Sequence, residues 1–298
     1  MDEEMKALVL GASGQIGGAL LQALARVGAS GIGAYRSRPL PGGLPLDVRD
    51  RDAVERCLDT VRPEVVFLAV IAPGGVDYYE DHPEVAYAVN VEGTRNVALA
   101  AARLGVKLVF YSTDYLFDGQ AGPYAEDAPI RPLNVYGRTK WEGEEIIRSL
   151  VPDHLIIRTT AVFSWNPGLR NFAMQVWERL RTGEAMRVAS DQWCNPTLAG
   201  DVAEMSVRLV EREAQGVFNV VGKDWMTRAD LGKALASAMA LDPALILPVS
   251  TAELGQRAPR PLQAGLRTDK LERLLGEAPP GLEASLQRFR RDKAQWEE

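Results

Sequence analysis

Tyr136 and Lys140 stand four residues apart in the segment YGRTK. On a helix that spacing places both side chains on one face. An ammonium beside a phenol favours the phenolate and draws its pKa down from about 10. The pair therefore predicts a tyrosine that moves a proton near neutral pH. A carbonyl that accepts a hydride becomes an alkoxide and needs such a proton. Thr113 follows the apolar run VKLVFYS, 23 residues before Tyr136. There its hydroxyl would hold a carbonyl oxygen beside the phenol. Thr113, Tyr136 and Lys140 are the candidate catalytic set. The spacing alone leaves one alternative, a tyrosine and a lysine sharing a solvated helix face.

A hydride source is signalled nearer the start of the chain. The apolar run KALVL stops at GASGQIG, in which Gly11, Gly14 and Gly17 are spaced three apart. A glycine turn between a strand and a helix gives a tight bend, a close backbone approach to a pyrophosphate, and close helix–strand packing. The helix N-terminus adds unpaired N–H groups and a partial positive charge. Ser13, Gln15 and Ile16 share that turn and are counted with it. The next strand candidate, GIGAY, runs into Arg36, Ser37 and Arg38, where a carboxylate reading a ribose 2′-hydroxyl would otherwise stand. Two guanidiniums and a hydroxyl suit a 2′-phosphate. This predicts NADP(H), with NAD(H) the lesser choice and two surface arginines the alternative. Asp47, followed by Val48, is placed either to accept a bond from the adenine amino group or to serve a helix start. For the second role Asp50 is the better N-cap. Ala69, late in the third apolar strand candidate, completes the predicted cofactor site.

These residues need a scaffold. Residues 6–10, 30–35, 64–71, 106–112 and 154–158 read as short apolar strands, and 16–27, 50–61, 85–104 and 135–150 as helices between them. Each parallel connection needs a crossover, so the alternation predicts an α/β fold: a Rossmann-type doubly wound parallel sheet. After about residue 160 Pro and Gly become frequent. Residues 171–181, 198–211, 228–240 and 282–291 read as helices there, and 217–221 as a strand. The expected division is a cofactor domain over 1–165 and a smaller C-terminal substrate lobe over 166–298, interleaved with the last sheet elements. Asp114, Trp165 and Gln192 are candidate substrate contacts, with Trp193 beside them. A tryptophan that only fills space is an equal alternative.

Composition limits the other classes. The chain has 298 residues, 46% hydrophobic and 25% charged, with a formal net charge of −6, which fits a globular protein. Arg288, Arg290 and Arg291 are mixed with Asp292, Glu297 and Glu298 and read as a solvated helix face, so nucleic acid is not an expected partner. No apolar run approaches the roughly 20 residues of a membrane span. Asp2, Glu3 and Glu4 stand where a signal peptide would be positive. Cys57 and Cys194 lie outside any CxxC and read as reduced thiols, which places the protein in the cytoplasm. His82 and His154 stand alone, so no metal centre is expected.

Together these residues resemble the extended short-chain dehydrogenase/reductase superfamily. STDYLFDG (112–119) followed by PYAEDAPIRPLNVYGRTKWEGE (123–144) is similar to its dTDP-4-dehydrorhamnose reductase family. The similarity continues through DQWCNPT (191–197), RPLQAGL (260–266) and DKLE, and so covers nearly the whole chain. The resemblance implies a Thr113, Tyr136 and Lys140 triad, with Lys140 also bonding the nicotinamide ribose. It implies a nucleotide sugar whose 4-keto group is reduced to an alcohol, as in dTDP-rhamnose biosynthesis. The chain departs from that family at two places near the substrate. Ala161, in RTTAVF, stands where a motif like RTSWVY commonly has Trp, and residues 69–75 read AVIAPGG in place of Ala-Ala-Tyr-Thr. Residues 81–96 and 260–272 are also similar to the regulatory beta subunit of methionine adenosyltransferase. That implies a non-catalytic NADP-binding partner subunit. A sugar-nucleotide epimerase or dehydratase is the third class. Against it stand the basic turn at Arg36 and Arg38, and Tyr115, where a dehydratase wants a second acid beside Asp114. The sequence does not set the oligomeric state and leaves a homodimer open.

Overall fold

A computed structural model describes residues 5–297; Asp2, Glu3, Glu4 and Glu298 lie outside the described residues. Seven strands form the main sheet: β1 (Lys6–Leu10), β2 (Ser30–Tyr35), β3 (Leu44–Pro45), β4 (Val65–Leu68), β5 (Lys107–Thr113), β6 (His154–Thr159) and β7 (Gly216–Asn219). Their spatial order is β7-β6-β5-β4-β1-β2-β3, and every pairing is parallel. Leu8 sits between Ile32 of β2 and Val66 of β4. The strand β1 thus lies inside the sheet, and later strands are added outward on both sides of it. A crevice opens at the carboxyl ends of strands where the winding reverses, and ligands bind there in such sheets.

Alternate residues of each strand face opposite layers. Leu8, Val66, Phe110 and Ile156 meet Val54 and Leu58 of helix α2 (Arg51–Val61), Val97 of α3 (Thr94–Leu104) and Ile147 of α4 (Val135–Leu150). On the other face Ala7, Val9, Phe67 and Val109 meet Leu20 and Leu24 of α1 (Gln15–Arg26) and Val202 of the helix Ala199–Glu211. A separate core of Phe163, Met174, Leu231, Leu235 and Phe289 lies among later elements. Asp50 caps α2 by accepting a bond from the Ala53 N–H at 2.9 Å. Among the described residues no helix is long and apolar enough to cross a membrane.

Four expectations are corrected. The strand read over 64–71 stops at Leu68, and the residues after it leave the sheet. The helix read as continuous over 85–104 consists of Pro83–Tyr87, a π-helical stretch Ala88–Gly93, and α3. A π turn takes extra residues per turn, which a 3.6-residue periodicity cannot register. It buries Asn90, which accepts a bond from Ala72 N and donates to Thr139 Oγ1, both at 3.1 Å. Third, Met186–Ala189 pairs in parallel with Ile246–Val249; Pro248 hid the second strand, and proline is tolerated only at a sheet edge. Fourth, Arg288 is no solvated residue. Its side chain is 25% exposed and pairs with Asp201 and Glu204, docking the last helix. Arg290 does lie outside, paired with Glu283.

Candidate active site

The glycine turn is fixed by contact, not by flexibility alone. Gly11 has φ +82°, and a Cβ there would stand 2.6 Å from the Ala69 carbonyl oxygen. A Cβ on Gly17 would stand 2.2 Å from the Gly11 oxygen. Gly17→Ala is therefore expected to push α1 off the turn, lowering stability by about 1–3 kcal/mol and weakening dinucleotide binding. A thermal melt with an NADPH titration checks both.

The turn opens onto a cleft of about 260 Å³. Gly11, Ser13 and Gly14 form one wall, Arg36, Ser37 and Arg38 a second, and Asp47, Val48 and Ala69 the rest of the predicted set. Gln15, Ile16 and Gly17 do not line it. Gln15 Oε1 accepts a bond from Ser164 Oγ at 3.0 Å, Ile16 packs against the core, and Gly17 is buried. The sequence reading missed Val70, Ile71, Ala72 and Pro73, which also line the cleft. Their signal was an apolar run too long for its strand.

The basic turn is arranged for an anion. Arg36 and Arg38 both reach the cleft, and Arg38 also donates to the Gly168 carbonyl. The Arg49 guanidinium grips Asp47 through Nε, at 3.0 Å to each carboxylate oxygen. That bond, with the Arg36 charge farther off, holds the carboxyl below its ordinary range. Asp50, not Asp47, is the helix cap. Val48 is fixed by a bond from Asn96 Nδ2 to its carbonyl at 2.9 Å. Steric need for glycine, a cleft at the turn and two arginines over it fit a dinucleotide carrying a further phosphate.

Thr113 ends β5 and is buried. Helix α4 starts under an Asn134 cap that accepts from Gly137 N at 2.9 Å. A Cβ on Gly137 would stand 2.2 Å from the Tyr115 oxygen, so the first turn of α4 lies against the short helix Asp114–Leu116. This sets the Tyr136 ring edge-on to Tyr115 at 5.6 Å and 6.1 Å from Tyr79. Burial raises the Tyr136 phenol above its ordinary pKa; the Thr113 hydroxyl, placed to hydrogen-bond it, pulls the other way. The predicted lowering by Lys140 is not found. The Lys140 ammonium is buried 4.0 Å from the centre of the Phe110 ring. Burial brings its pKa down to about 7, against the opposing charge of Glu144. Desolvation penalises the charged form of each group, and it is the largest cause of both shifts. At neutral pH the proton stays on the phenol, so Tyr136 is poised as a donor.

Asp114 lies beside the set. Its carboxyl accepts from Thr160 Oγ1 at 2.7 Å and from Thr113 Oγ1 at 3.4 Å. Burial raises its pKa to about 6, while the bonds from Thr160 and from the Gly265 backbone restrain the rise. Gln192 is buried but occupied, donating to Thr251 Oγ1 at 2.9 Å and Gln256 Oε1 at 2.7 Å. Trp165 is not gathered with these residues. It packs edge-on against Trp177 and Phe289, at 5.3 and 5.7 Å, within the third core. Of the two readings of Trp165, its contacts are those of a space-filler, and it does not compensate for Ala161. Ala161 itself has φ +45°, a left-handed conformation uncommon outside glycine. Arg260 and Arg228 were also missed; both act electrostatically on the Tyr115 phenol.

The family model described as the RmlD substrate binding domain matches residues 5–294. A dTDP-4-dehydrorhamnose reductase from Sinorhizobium fredii is 32% identical over 254 residues, which cover 82% of this chain and 85% of that protein. Methionine adenosyltransferase 2 subunit beta from Danio rerio is 32% identical over 301 residues, covering 97% and 92%. Among solved structures, the dTDP-4-dehydrorhamnose reductase of Bacillus anthracis in complex with NADP matches with a TM-score of 0.87 and 28% identity, covering 96% of this chain and 98% of that one.

Proposed function

The chain belongs to the RmlD substrate binding domain family, and on that premise we propose that it is an NADPH-dependent reductase of a 4-keto nucleotide sugar, of the dTDP-4-dehydrorhamnose reductase type. The observation that carries the reading is the buried phenol of Tyr136 placed beside Thr113 and Asp114, on a helix turn packed against Asp114–Leu116.

The Gly11–Gly17 turn would hold the pyrophosphate, and Arg36, Ser37 and Arg38 the 2′-phosphate. The bound dinucleotide supplies a hydride. Thr113 donates to the substrate's carbonyl oxygen and orients it. Tyr136 passes its proton to that oxygen as negative charge develops there. Lys140, when protonated, stabilises the phenolate left behind and bonds the nicotinamide ribose. Asp114 accepts a sugar hydroxyl. Residues 1–165 would hold the dinucleotide, and residues 166–298 would cover the sugar. The free thiols Cys57 and Cys194 fit a reducing, cytoplasmic setting.

Two expected results follow from the charges. Replacing Arg36 and Arg38 by Ala weakens NADPH binding by about 1–3 kcal/mol, the worth of lost charge-assisted bonds, and leaves NADH binding unchanged. Equal losses for both cofactors in a fluorescence titration would show that these arginines do not read the phosphate. Secondly, kcat/KM for NADPH oxidation falls as pH rises through about 7, where Lys140 loses its proton. Stability moves the other way. The folded lysine has its pKa lowered from 10.5 to about 7, so the unfolded chain binds more protons between those values and folding gains as pH rises. Melting curves taken alongside the rate profile separate the two effects.

A second reading, a non-catalytic NADP-binding subunit, is favoured by the likeness to the Danio rerio subunit beta. A screen of NADPH consumption with keto nucleotide sugars decides. No oxidation of NADPH, together with tight association with a methionine adenosyltransferase, would replace the first reading by the second.

A further inference from the structure

The loop after Phe163 touches both sides of the cofactor cleft without lining it. Ser164 Oγ donates to Gln15 Oε1 at 3.0 Å, next to Gly14 in the chain. Four residues on, the Gly168 carbonyl accepts from Arg38. The two tie points are neighbours in the fold, because Gly11 N and Ala12 N donate to the Ala34 carbonyl at 3.0 and 2.9 Å. Four peptide units reach at most about 14 Å, so the loop bridges them directly. It is built to hold its carbonyl still. Residues 166–169 make a tight turn, closed by Leu169 N to the Asn166 carbonyl at 2.9 Å, and Asn166 Oδ1 accepts from Gly168 N at 3.1 Å. Asn first and Pro second, as here, favour such a turn. Asn166 and Gly168 are exposed, but Trp165 and Leu169 on either side are buried. Asn171 Nδ2 ties the loop back to the Ser164 carbonyl at 3.2 Å, while its Oδ1 caps the helix Phe172–Leu180. Trp165 is wedged edge-on against Trp177 of that helix and against Phe289 and Trp296 of the last helix, Leu282–Glu297.

We infer that this loop helps set the preference for the phosphorylated cofactor by positioning Arg38, and that Trp165 is the positioning residue that anchors it. The inference rests on the reading of Arg36, Ser37 and Arg38 as the 2′-phosphate site. A long side chain waving in solvent must give up its rotamer freedom to grip a phosphate. Arg38 has already given up much of it. The Gly168 carbonyl occupies one of its five N–H donors, and the side chain still faces the cleft. A 2′-phosphate entering there meets a guanidinium that is in place. NADH carries a hydroxyl at that position and gains nothing from the arrangement. The loop therefore acts on one cofactor and not on the other, although none of its atoms lines the cleft. Its abutment is the last helix, far from the basic turn in sequence.

The test is calorimetric titration of the full chain with NADPH and with NADH. Pro167→Gly loosens the exposed turn, and Trp165→Ala removes the anchor. Each is expected to weaken NADPH by roughly 2- to 10-fold, the cost of ordering one long side chain on binding, and to leave NADH unchanged. Trp165→Phe keeps an anchoring ring and is expected to bind NADPH like the parent. In an Arg38→Ala background Pro167→Gly should have no further effect, whereas a general loosening of the fold would weaken both cofactors in either background. The inference is overturned if Pro167→Gly binds NADPH as tightly as the parent, if it loses NADPH and NADH equally, or if its loss persists without Arg38. Tighter NADPH binding in either variant would make the Gly168 carbonyl a competitor of the phosphate and overturn it too. Should Trp165→Ala not fold, Pro167→Gly, alone and with Arg38→Ala, decides. If Arg38→Ala lowers the preference for NADPH and Pro167→Gly does not, the loop inference alone falls. If Arg38→Ala leaves the preference intact, the 2′-phosphate reading of that residue falls and takes the loop with it.

Discussion

Tyr136→Phe is expected to cut NADPH-dependent turnover by roughly 10²- to 10⁴-fold, the usual worth of a positioned general acid, while NADPH affinity stays unchanged. The substitution removes one oxygen and keeps the ring, so the packing against Tyr115 and Tyr79 survives. The glycine turn and basic turn are untouched. Asp114 is a carboxyl close enough to act on Tyr136, but it is already bonded by Thr160 at 2.7 Å. The Thr113 hydroxyl is too weak an acid to deliver the proton itself. The loss should fall on kcat, because a proton transferred late is an interaction made mainly in the transition state. Steady-state rates and a separate cofactor titration are the measurements. Substrate reduction by the Tyr136→Phe variant within a few-fold of the parent would remove Tyr136 from the chemistry.

Arg158→Met is expected to cost about 3–5 kcal/mol of stability, as breaking a buried ion pair does, seen as a fall in Tm of the order of 10 °C for a chain of this size. Side-chain exposure is 1% for Arg158 and 0% for Glu144. The two form a bidentate pair, Nε to Oε1 at 2.9 Å and Nη2 to Oε2 at 2.8 Å. Arg158 Nη1 also donates to the Glu126 carbonyl at 2.9 Å. Without Arg158 the Glu144 carboxylate is left, among the described residues, with one ion pair, to Arg148 at 2.8 Å; Arg148 is partly exposed, which places the effect toward the lower end. Adding Glu144→Gln should restore most of the loss, since the orphaned charge is what costs. Glu144 also lies one helical turn from Lys140. Its unmatched charge in Arg158→Met should move the alkaline limb of the rate profile to higher pH, a shift that mere loosening of the fold would not produce.

Much of this was readable because it is local. Residues 30–35 and 135–150 form the strand and helix their patterns predict, since alternation and helical spacing are properties of neighbours along the chain. The glycine turn was readable for the same reason: its steric needs are set within a few residues and by Ala69. What escaped depends on partners far away in sequence. Arg260 meets Tyr115 across the fold, and nothing around either residue announces the other. Trp165 is enclosed by Trp177 and Phe289, and the residues around it in sequence do not announce either. The spacing of Tyr136 and Lys140 reports proximity but not burial, and burial dominates the acidity of the phenol. The π turn around Asn90 breaks the very periodicity by which helices are recognised.

The bond from Arg38 to the Gly168 carbonyl ties the rim of the dinucleotide cleft to a loop that runs between Phe163 and the helix Phe172–Leu180. A guanidinium has five N–H donors, so holding one carbonyl leaves the rest free for a second acceptor. A side chain shared in this way obeys reciprocity: whatever steadies the loop also preorganises Arg38, and an anion that fixes Arg38 steadies the loop by the same free energy. Occupancy on one side and order on the other are then two readings of a single coupling constant.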